Sequence, residues 1–294
     1  MHIPVLCKEV LESLELKPGM TILDCTLGAG GHAQEMLKRI TPGGKLIAID
    51  QDAEAIENAK ERLKDFKESL IIVNDNFKNV GAILKELGIG KVNGAVFDLG
   101  VSSEQLGLAE RGFAIKLEGP LDMRMDKSQQ LSAYELVNKL HKEELSKIFK
   151  EYGEERYHER IAKAIVLERH KDPIETTSRL AQIVTRSIPK RGFYKIHPAT
   201  RVFQALRIAV NKELEALEKG IEETVDSLEP GARICVISYH SLEDRIVKNK
   251  FKDFKKQGKI DILTKKPLVP EFEEIKSNPR SRSAKLRAAE RRQN

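Results

Sequence analysis

An α/β protein with a mostly parallel sheet and an inserted all-helical subdomain is what this sequence predicts, on three observations. Short, β-branched, apolar runs at 21–24, 45–50, 70–75, 94–98 and 232–238 read as strands, with amphipathic stretches such as 53–66 and 80–87 between the first four. A glycine-rich turn follows the first run. About 130 residues then separate the fourth run from the fifth, where a crossover needs only a few tens.

The first run and turn read Ile22-Leu23-Asp24-Cys25-Thr26-Leu27-Gly28-Ala29-Gly30-Gly31-His32, and the second run is Lys45-Leu46-Ile47-Ala48-Ile49-Asp50. This is a βαβ unit built to hold a nucleoside. The glycines permit positive φ and close backbone approach, and the helix that follows offers its N–H groups and positive dipole end. Asp50 is placed to accept hydrogen bonds from ribose hydroxyls. Gly28-x-Gly30-x-x-Ala33 also matches the dinucleotide fingerprint. Asp24 favours the other nucleoside: an acid there binds the ammonium of S-adenosylmethionine and repels a pyrophosphate. A nicotinamide site and a purely structural turn remain alternatives at this point.

The third and fourth runs lead into Asp75-Asn76-Phe77 and Asp98-Leu99-Gly100-Val101-Ser102-Ser103, and the fifth into Ser238-Tyr239-His240-Ser241. Ligands bind at the carboxyl ends of parallel strands, and four successive strands here end in Asp. Helix capping or turn formation is the plain alternative for Asp98. Ser241-Leu242-Glu243-Asp244 resembles a capping box opening a helix over 242–251. His240, beside it, orients substrate or bonds a loop carbonyl.

Most of the excess between the fourth and fifth strands reads as helix, at 133–140, 142–150 and 154–169. The insertion is expected to end near Pro198, with 200–228 as one long crossover helix returning to the sheet. Residues 186–212 hold Arg186, Lys190, Arg191, Lys195, Arg201, Arg207 and Lys212 with no acid, and Phe193, Tyr194 and Phe203 lie among them. From Lys276 to the end there are seven basic residues against Glu290, so the whole net charge of +6 sits in that stretch. Basic side chains for phosphates and aromatics for unstacked bases suit RNA. The alternative is a solvated helix face and a disordered tail.

The chain of 294 residues, with 33% charged side chains and no Trp, is long enough for one domain with a large insertion, or two domains. No stretch approaches a membrane span, and Met1-His2-Ile3-Pro4-Val5-Leu6 lacks the basic and apolar regions of a signal peptide. A cytoplasmic protein is expected. Cys7, Cys25 and Cys235 show no C-x-x-C spacing and read as small hydrophobes, neither a disulfide framework nor a metal site.

The residues also carry a family resemblance. The chain resembles the bacterial 16S ribosomal RNA cytosine-N4 methyltransferases over His2-Ile3-Pro4-Val5-Leu6, Gly28-Ala29-Gly30-Gly31-His32, Asp98-Leu99-Gly100-Val101-Ser102-Ser103, Arg111-Gly112-Phe113 and Gly119-Pro120-Leu121-Asp122-Met123-Arg124-Met125-Asp126. The match continues through Tyr152-Gly153-Glu154-Glu155-Arg156, His197 to Arg207, His240 to Arg245 and Asn278 to Ser283. The resemblance implies a class I, Rossmann-like methyltransferase sheet over 1–108 and 200–294, with a helical substrate-recognition insertion at 109–199 and a basic tail from 276. It implies S-adenosylmethionine as cofactor, with contacts at Gly30, Gly31, His32, Asp50, Phe77, Asp98 and Gln105. The implied substrate is the N4 amine of one cytidine in the decoding region of the small ribosomal subunit. No membrane partner and no metal are expected, and the protein is expected as a monomer or homodimer.

Transfer to an amine conjugated with its ring asks for an acceptor that draws the amine hydrogens out of conjugation. Asp98, or a carbonyl of Leu99 or Gly100, is placed for it. Amino-methyltransferases commonly follow this acid with two prolines and an aromatic that stacks on the flipped base; here Leu99-Gly100-Val101 stands instead. Tyr239, Phe113 and Phe203 are the candidates for stacking, and Met123 and Met125 for lining the pocket. The RNA contacts expected are Tyr239, His240, Arg191, Lys195, Arg201, Arg280 and Arg282. Two rival classes remain: a ribosome-assembly factor that keeps the cofactor fold without turnover, and an NAD-dependent enzyme.

Overall fold

Strands form where the apolar runs predict them. The computed structural model describes residues 4–189 and 196–293, and the chain divides into two units, 1–100 with 214–294 and 101–213. The first opens with α1 (Cys7–Leu14), β1 (Thr21–Asp24), α2 (Gly31–Ile40), β2 (Lys45–Asp50), α3 (Ala53–Arg62), β3 (Leu70–Asn74), α4 (Val80–Glu86) and β4 (Val92–Asp98). The second unit holds α5 (Ser103–Gly107), α6 (Ala133–Lys139), α7 (Lys142–Glu151), α8 (His158–Arg169), α9 (Thr177–Ser187) and α10 (Thr200–Asn211). The chain then continues through α11 (Glu213–Ser227), β5 (Leu228–Ser238), α12 (Ser241–Lys256), β6 (Ile260–Ile262), α13 (Phe272–Ser277) and β7 (Lys285–Arg291).

The sheet runs in the order β3-β2-β1-β4-β5-β7-β6. The first five strands are parallel, and β7 pairs antiparallel with both β5 and β6. Strand order reverses between β1 and β4, which places the topological switch point at the ends that carry Asp24 and Asp98. Leu23, Ile47, Ala95 and Phe97 pack on one face with Leu217 and Ile221 of α11; Ile22, Leu46, Ala48 and Val96 pack on the other with Val10 of α1 and Met36 and Leu37 of α2. Both faces are covered, so these strands read as continuous apolar runs rather than alternating ones.

The second unit has its own core, with Leu136, Leu145, Phe149, Ile165, Leu180 and Leu206 from five helices. Phe113, Phe203, Met123 and Met125 are buried in this core. Phe113 and Phe203 are packing residues here, and Met123 and Met125 fill the core beside them.

Three local expectations are corrected. The basic segment from 276 is no free tail: its last part is β7, an interior strand hydrogen-bonded on both sides. Basic residues on β7 find acids on neighbouring elements, Arg287 with Asp244 at 2.7 Å and Lys285 with the same carboxylate at 3.5 Å. The expected helix over 200–228 is two helices, α10 and α11, because Lys212 adopts a left-handed conformation with φ +50° between them. The cap of α12 is His240 rather than Ser241, its ring accepting from the Glu243 N–H while the Glu243 side chain returns to the His240 N–H. An imidazole nitrogen occupies the role usually taken by a hydroxyl.

Candidate active site

The turn after β1 is tied to the ends of β2 and β4 by side chains that the strands themselves deliver. Thr26 N–H donates to Asp24 Oδ1 at 3.1 Å, and the Asp98 N–H donates to Thr26 Oγ1 at 2.6 Å. Gly28 N–H donates to Asp50 Oδ2 at 2.8 Å, and Asp52 N–H to Oδ1 at 2.9 Å. Gly28 and Gly30 have φ of +49° and +74°, a region that costs other residues energy. A Cβ at Gly30 would also press within 3.2 Å of Leu63.

Asp24 is almost fully buried, and its Oδ2 has no hydrogen-bond partner among the described residues. Burial pushes its carboxyl up to about 7, against the opposing pull of the Thr26 N–H and His32. Desolvation likewise raises Asp50 to about 6, against the Asp52 and Gly28 N–H groups. His32, in the first turn of α2, is buried with neither ring nitrogen in a hydrogen bond among the described residues. Its Nε2 stands 3.5 Å from Asp98 Oδ2, an ion-pair distance. Burial pulls the imidazole down, but Asp98, the Cys7 thiol and Asp24 outweigh it and hold the ring up at about 10.

Asp98 is addressed from the opposite side by Tyr239, whose hydroxyl donates to Oδ1 at 2.7 Å. The Asp98 side chain keeps 24% of its surface exposed, so its remaining lone pairs stay available. Tyr239 N–H donates to Glu243 Oε2 at 2.8 Å, and His240 Nε2 lies 3.1 Å from Glu243 Oε1. Phe77 packs edge-on against Phe97 with ring centroids 5.4 Å apart. Gly220 makes room for it, since a Cβ there would come within 2.6 Å of the Phe77 ring.

Gly30, Gly31, His32, Asp50, Phe77, Asp98, Tyr239 and His240 therefore all lie in the first unit, around the carboxyl ends of β1, β2, β4 and β5 or in the turns that follow the strands. Gln105 belongs to the second unit, where it is buried and forms a reciprocal capping box with Ser102 at the start of α5. Arg201, also in the second unit, is exposed and donates to the Glu154 carbonyl. Arg280 and Arg282 are exposed on the turn before β7. Arg191 and Lys195 lie outside the described residues, as do Phe193 and Tyr194. Sequence reasoning missed Thr26 and Glu243, which brace Asp98 and Tyr239. The spacing of Glu243 three residues after His240 is the signal that pointed to it.

The donor set fits a nucleoside that carries an amino-acid ammonium. Asp24 Oδ2 is a buried acceptor lacking a donor, a state retained where a ligand completes it. Each Asp50 oxygen accepts one backbone N–H and keeps capacity for a hydroxyl. A pyrophosphate would meet Asp24, Asp50 and Asp98 together, and their charges oppose it.

The chain is similar to known proteins along nearly its whole length. The model of the MraW methylase family matches residues 1–292. A ribosomal RNA small subunit methyltransferase H of Clostridium botulinum is 50% identical over 301 residues, 97% of each chain. Proteins of the same name from Halothermothrix orenii and Clostridioides difficile are 50% and 45% identical over 306 residues, 99% of this chain and 98% of theirs.

Proposed function

This chain belongs to the MraW methylase family, and from that premise we propose how its residues methylate the exocyclic N4 amine of one cytidine in the decoding region of 16S rRNA. It is an S-adenosylmethionine-dependent enzyme with the class I methyltransferase fold. When bound, the cofactor supplies a methyl group on a positively charged sulfur.

The chain's own part is placement. Asp24 Oδ2 takes the ammonium, the Gly28 to Gly31 turn admits the amino-acid portion, and Asp50 receives the ribose hydroxyls. Phe77 flanks the base of the cofactor, with His32 and Asp98 completing the contacts in this unit. Asp98 also accepts hydrogens of the target amine, drawing its lone pair out of conjugation and stabilising positive charge as it develops. Alignment of this kind supplies roughly 7 to 11 kcal/mol of barrier reduction. No strong base is needed, because the amine proton becomes acidic only as the nitrogen gains charge.

The observation that carries this reading is the partly exposed Asp98 carboxylate, held between Tyr239 and His32 at the switch point beside an unpaired Asp24 oxygen. The RNA is read as meeting Tyr239, His240, Arg191, Lys195, Arg201, Arg280 and Arg282 in the small ribosomal subunit, in the cytoplasm, with the enzyme as a monomer or homodimer. Among the described residues no helix is long and apolar enough to cross a membrane.

Transfer of labelled methyl from S-adenosylmethionine to unmodified small subunits, followed by nucleoside analysis, tests the reaction. Labelled N4-methylcytidine is expected; cofactor binding without transfer to subunits, precursors or free RNA would favour an assembly factor. Arg280→Ala and Arg282→Ala are each expected to flatten the salt dependence of RNA binding by about one unit of slope. An unchanged slope would remove those residues from the RNA surface.

A further inference from the structure

Asp98 receives a hydroxyl on one oxygen and faces an imidazole at the other. Tyr239 donates to Oδ1 at 2.7 Å, while His32 Nε2 stands 3.5 Å from Oδ2. With both oxygens addressed, rotation of the carboxylate about its Cβ–Cγ bond breaks one contact or the other. Tyr239 is itself braced. Its N–H is held by the buried Glu243 carboxylate, and its ring lies against Gly100, where a Cβ would stand 3.5 Å from Cδ2. Gly100, at φ +97°, thus keeps the backbone beyond Asp98 thin enough for the ring.

The phenol is a committed donor. Burial, followed by Asp98, pushes its ionisation above the usual tyrosine range. Asp24, at the end of β1, and Glu243 and Glu274, around Tyr239, are the other carboxylates facing this group. The 3.5 Å His32 contact is too long to orient the carboxylate as a hydrogen bond does. The short contact from Tyr239 is the directional one.

We infer that Tyr239 is a positioning residue for methyl transfer: its hydroxyl sets the orientation of Asp98, and the lone pairs left free are those that receive the target amine. This rests on the reaction proposed above. It assigns the Tyr239 hydroxyl a role separate from base stacking, which would use the ring alone.

Tyr239→Phe keeps the ring and removes the donor, so the two roles separate in steady-state kinetics on small ribosomal subunits. The expected result is a kcat lower by roughly tenfold, with KM for the subunits within about twofold of wild type. In an Asp98→Asn background the same change is expected to cost less than about twofold, because the carboxylate it orients is gone. Placing 4-aminophenylalanine at 239 restores a donor on the ring and should recover most of the lost kcat, which a packing role would not explain. An unchanged kcat in Tyr239→Phe, or equal fold losses in both backgrounds, overturns the inference. Absence of methyl transfer by the wild-type enzyme would instead remove the underlying reaction, and with it the inference, and is recognised by failing in every variant alike.

Discussion

Two buried polar clusters, one in each unit, differ in a way that separates architecture from chemistry. In the second unit, Arg111 donates to the carbonyls of Arg124 and Met125 at 3.0 and 3.2 Å. Asn211 donates to the Met123 carbonyl and accepts the Met125 N–H, both at 2.8 Å, while Asp122 and Arg124 form a two-pronged ion pair. Together they hold the loop at 119–126, including Met123 at φ +61°, a conformation that costs about 1–3 kcal/mol. Among the described residues none of these side chains has a buried polar atom without a partner. In the first unit, Asp24 Oδ2 is buried without a hydrogen-bond partner, and His32 is buried with no hydrogen bond of its own, its Nε2 meeting Asp98 only at 3.5 Å. A fully paired network shapes a loop, whereas an unpaired buried acceptor at a strand end is completed by a ligand.

The sharpest way to break this contrast is at Asp98. Asp98→Asn should lower turnover about a hundredfold to a thousandfold, roughly 3–4 kcal/mol of barrier, while the protein still unfolds cooperatively in urea. Initial rates near wild type would place Asp98 with the architectural groups. Next in size is Asn211→Ala, which strands a buried N–H and a buried carbonyl and should cost about 3 kcal/mol of unfolding free energy. Calorimetry should find cofactor affinity unchanged; a variant of full stability but weaker cofactor binding would reverse the assignment.

Asp24→Asn carries the smallest effect and the most specific one. Cofactor affinity is expected to fall about tenfold at neutral pH, read by calorimetry, since a neutral amide replaces the carboxylate proposed to meet the ammonium. The pH dependence has a definite sign. With Asp24 held up at about 7, from an ordinary value of 3.8, the folded ligand-free protein binds the extra proton between those limits. Its stability therefore falls as pH rises from about 4 to about 7, and Asp50, raised to about 6, adds the same sign over the lower part of that window. Cofactor affinity should rise between pH 5 and 7 as Asp24 ionises. Both slopes should be shallower in Asp24→Asn, and identical slopes in variant and wild type would remove Asp24 from the ammonium site.

Legibility in the sequence followed the range of the interactions. β1 and β2 stand where their apolar runs predict them, because period and composition are local properties. β7 was hidden because Lys285, Arg287 and Arg291 gave it the composition of a solvated tail; the partner of the first two, Asp244, comes from elsewhere in the chain. The break at Lys212 carried no glycine or proline to announce it, and α10 and α11 are both good helix formers. Asp98, His32 and Tyr239 were each singled out by residue type, but their convergence was invisible, since Tyr239 and Asp98 are 141 residues apart.

By itself, then, the sequence determined the parallel α/β framework, the nucleoside turn and the acids at the strand ends. Alternation, turn dihedrals and the charge of single side chains act over a few residues and leave their mark in composition. Only the tertiary structure decided which acid is paired and which is left open, that the basic C-terminal segment is an interior strand, and that a tyrosine just beyond β5 donates to the acid at the end of β4. Those outcomes depend on which distant groups share a buried, low-dielectric space, where a missing partner costs several times what it costs in water.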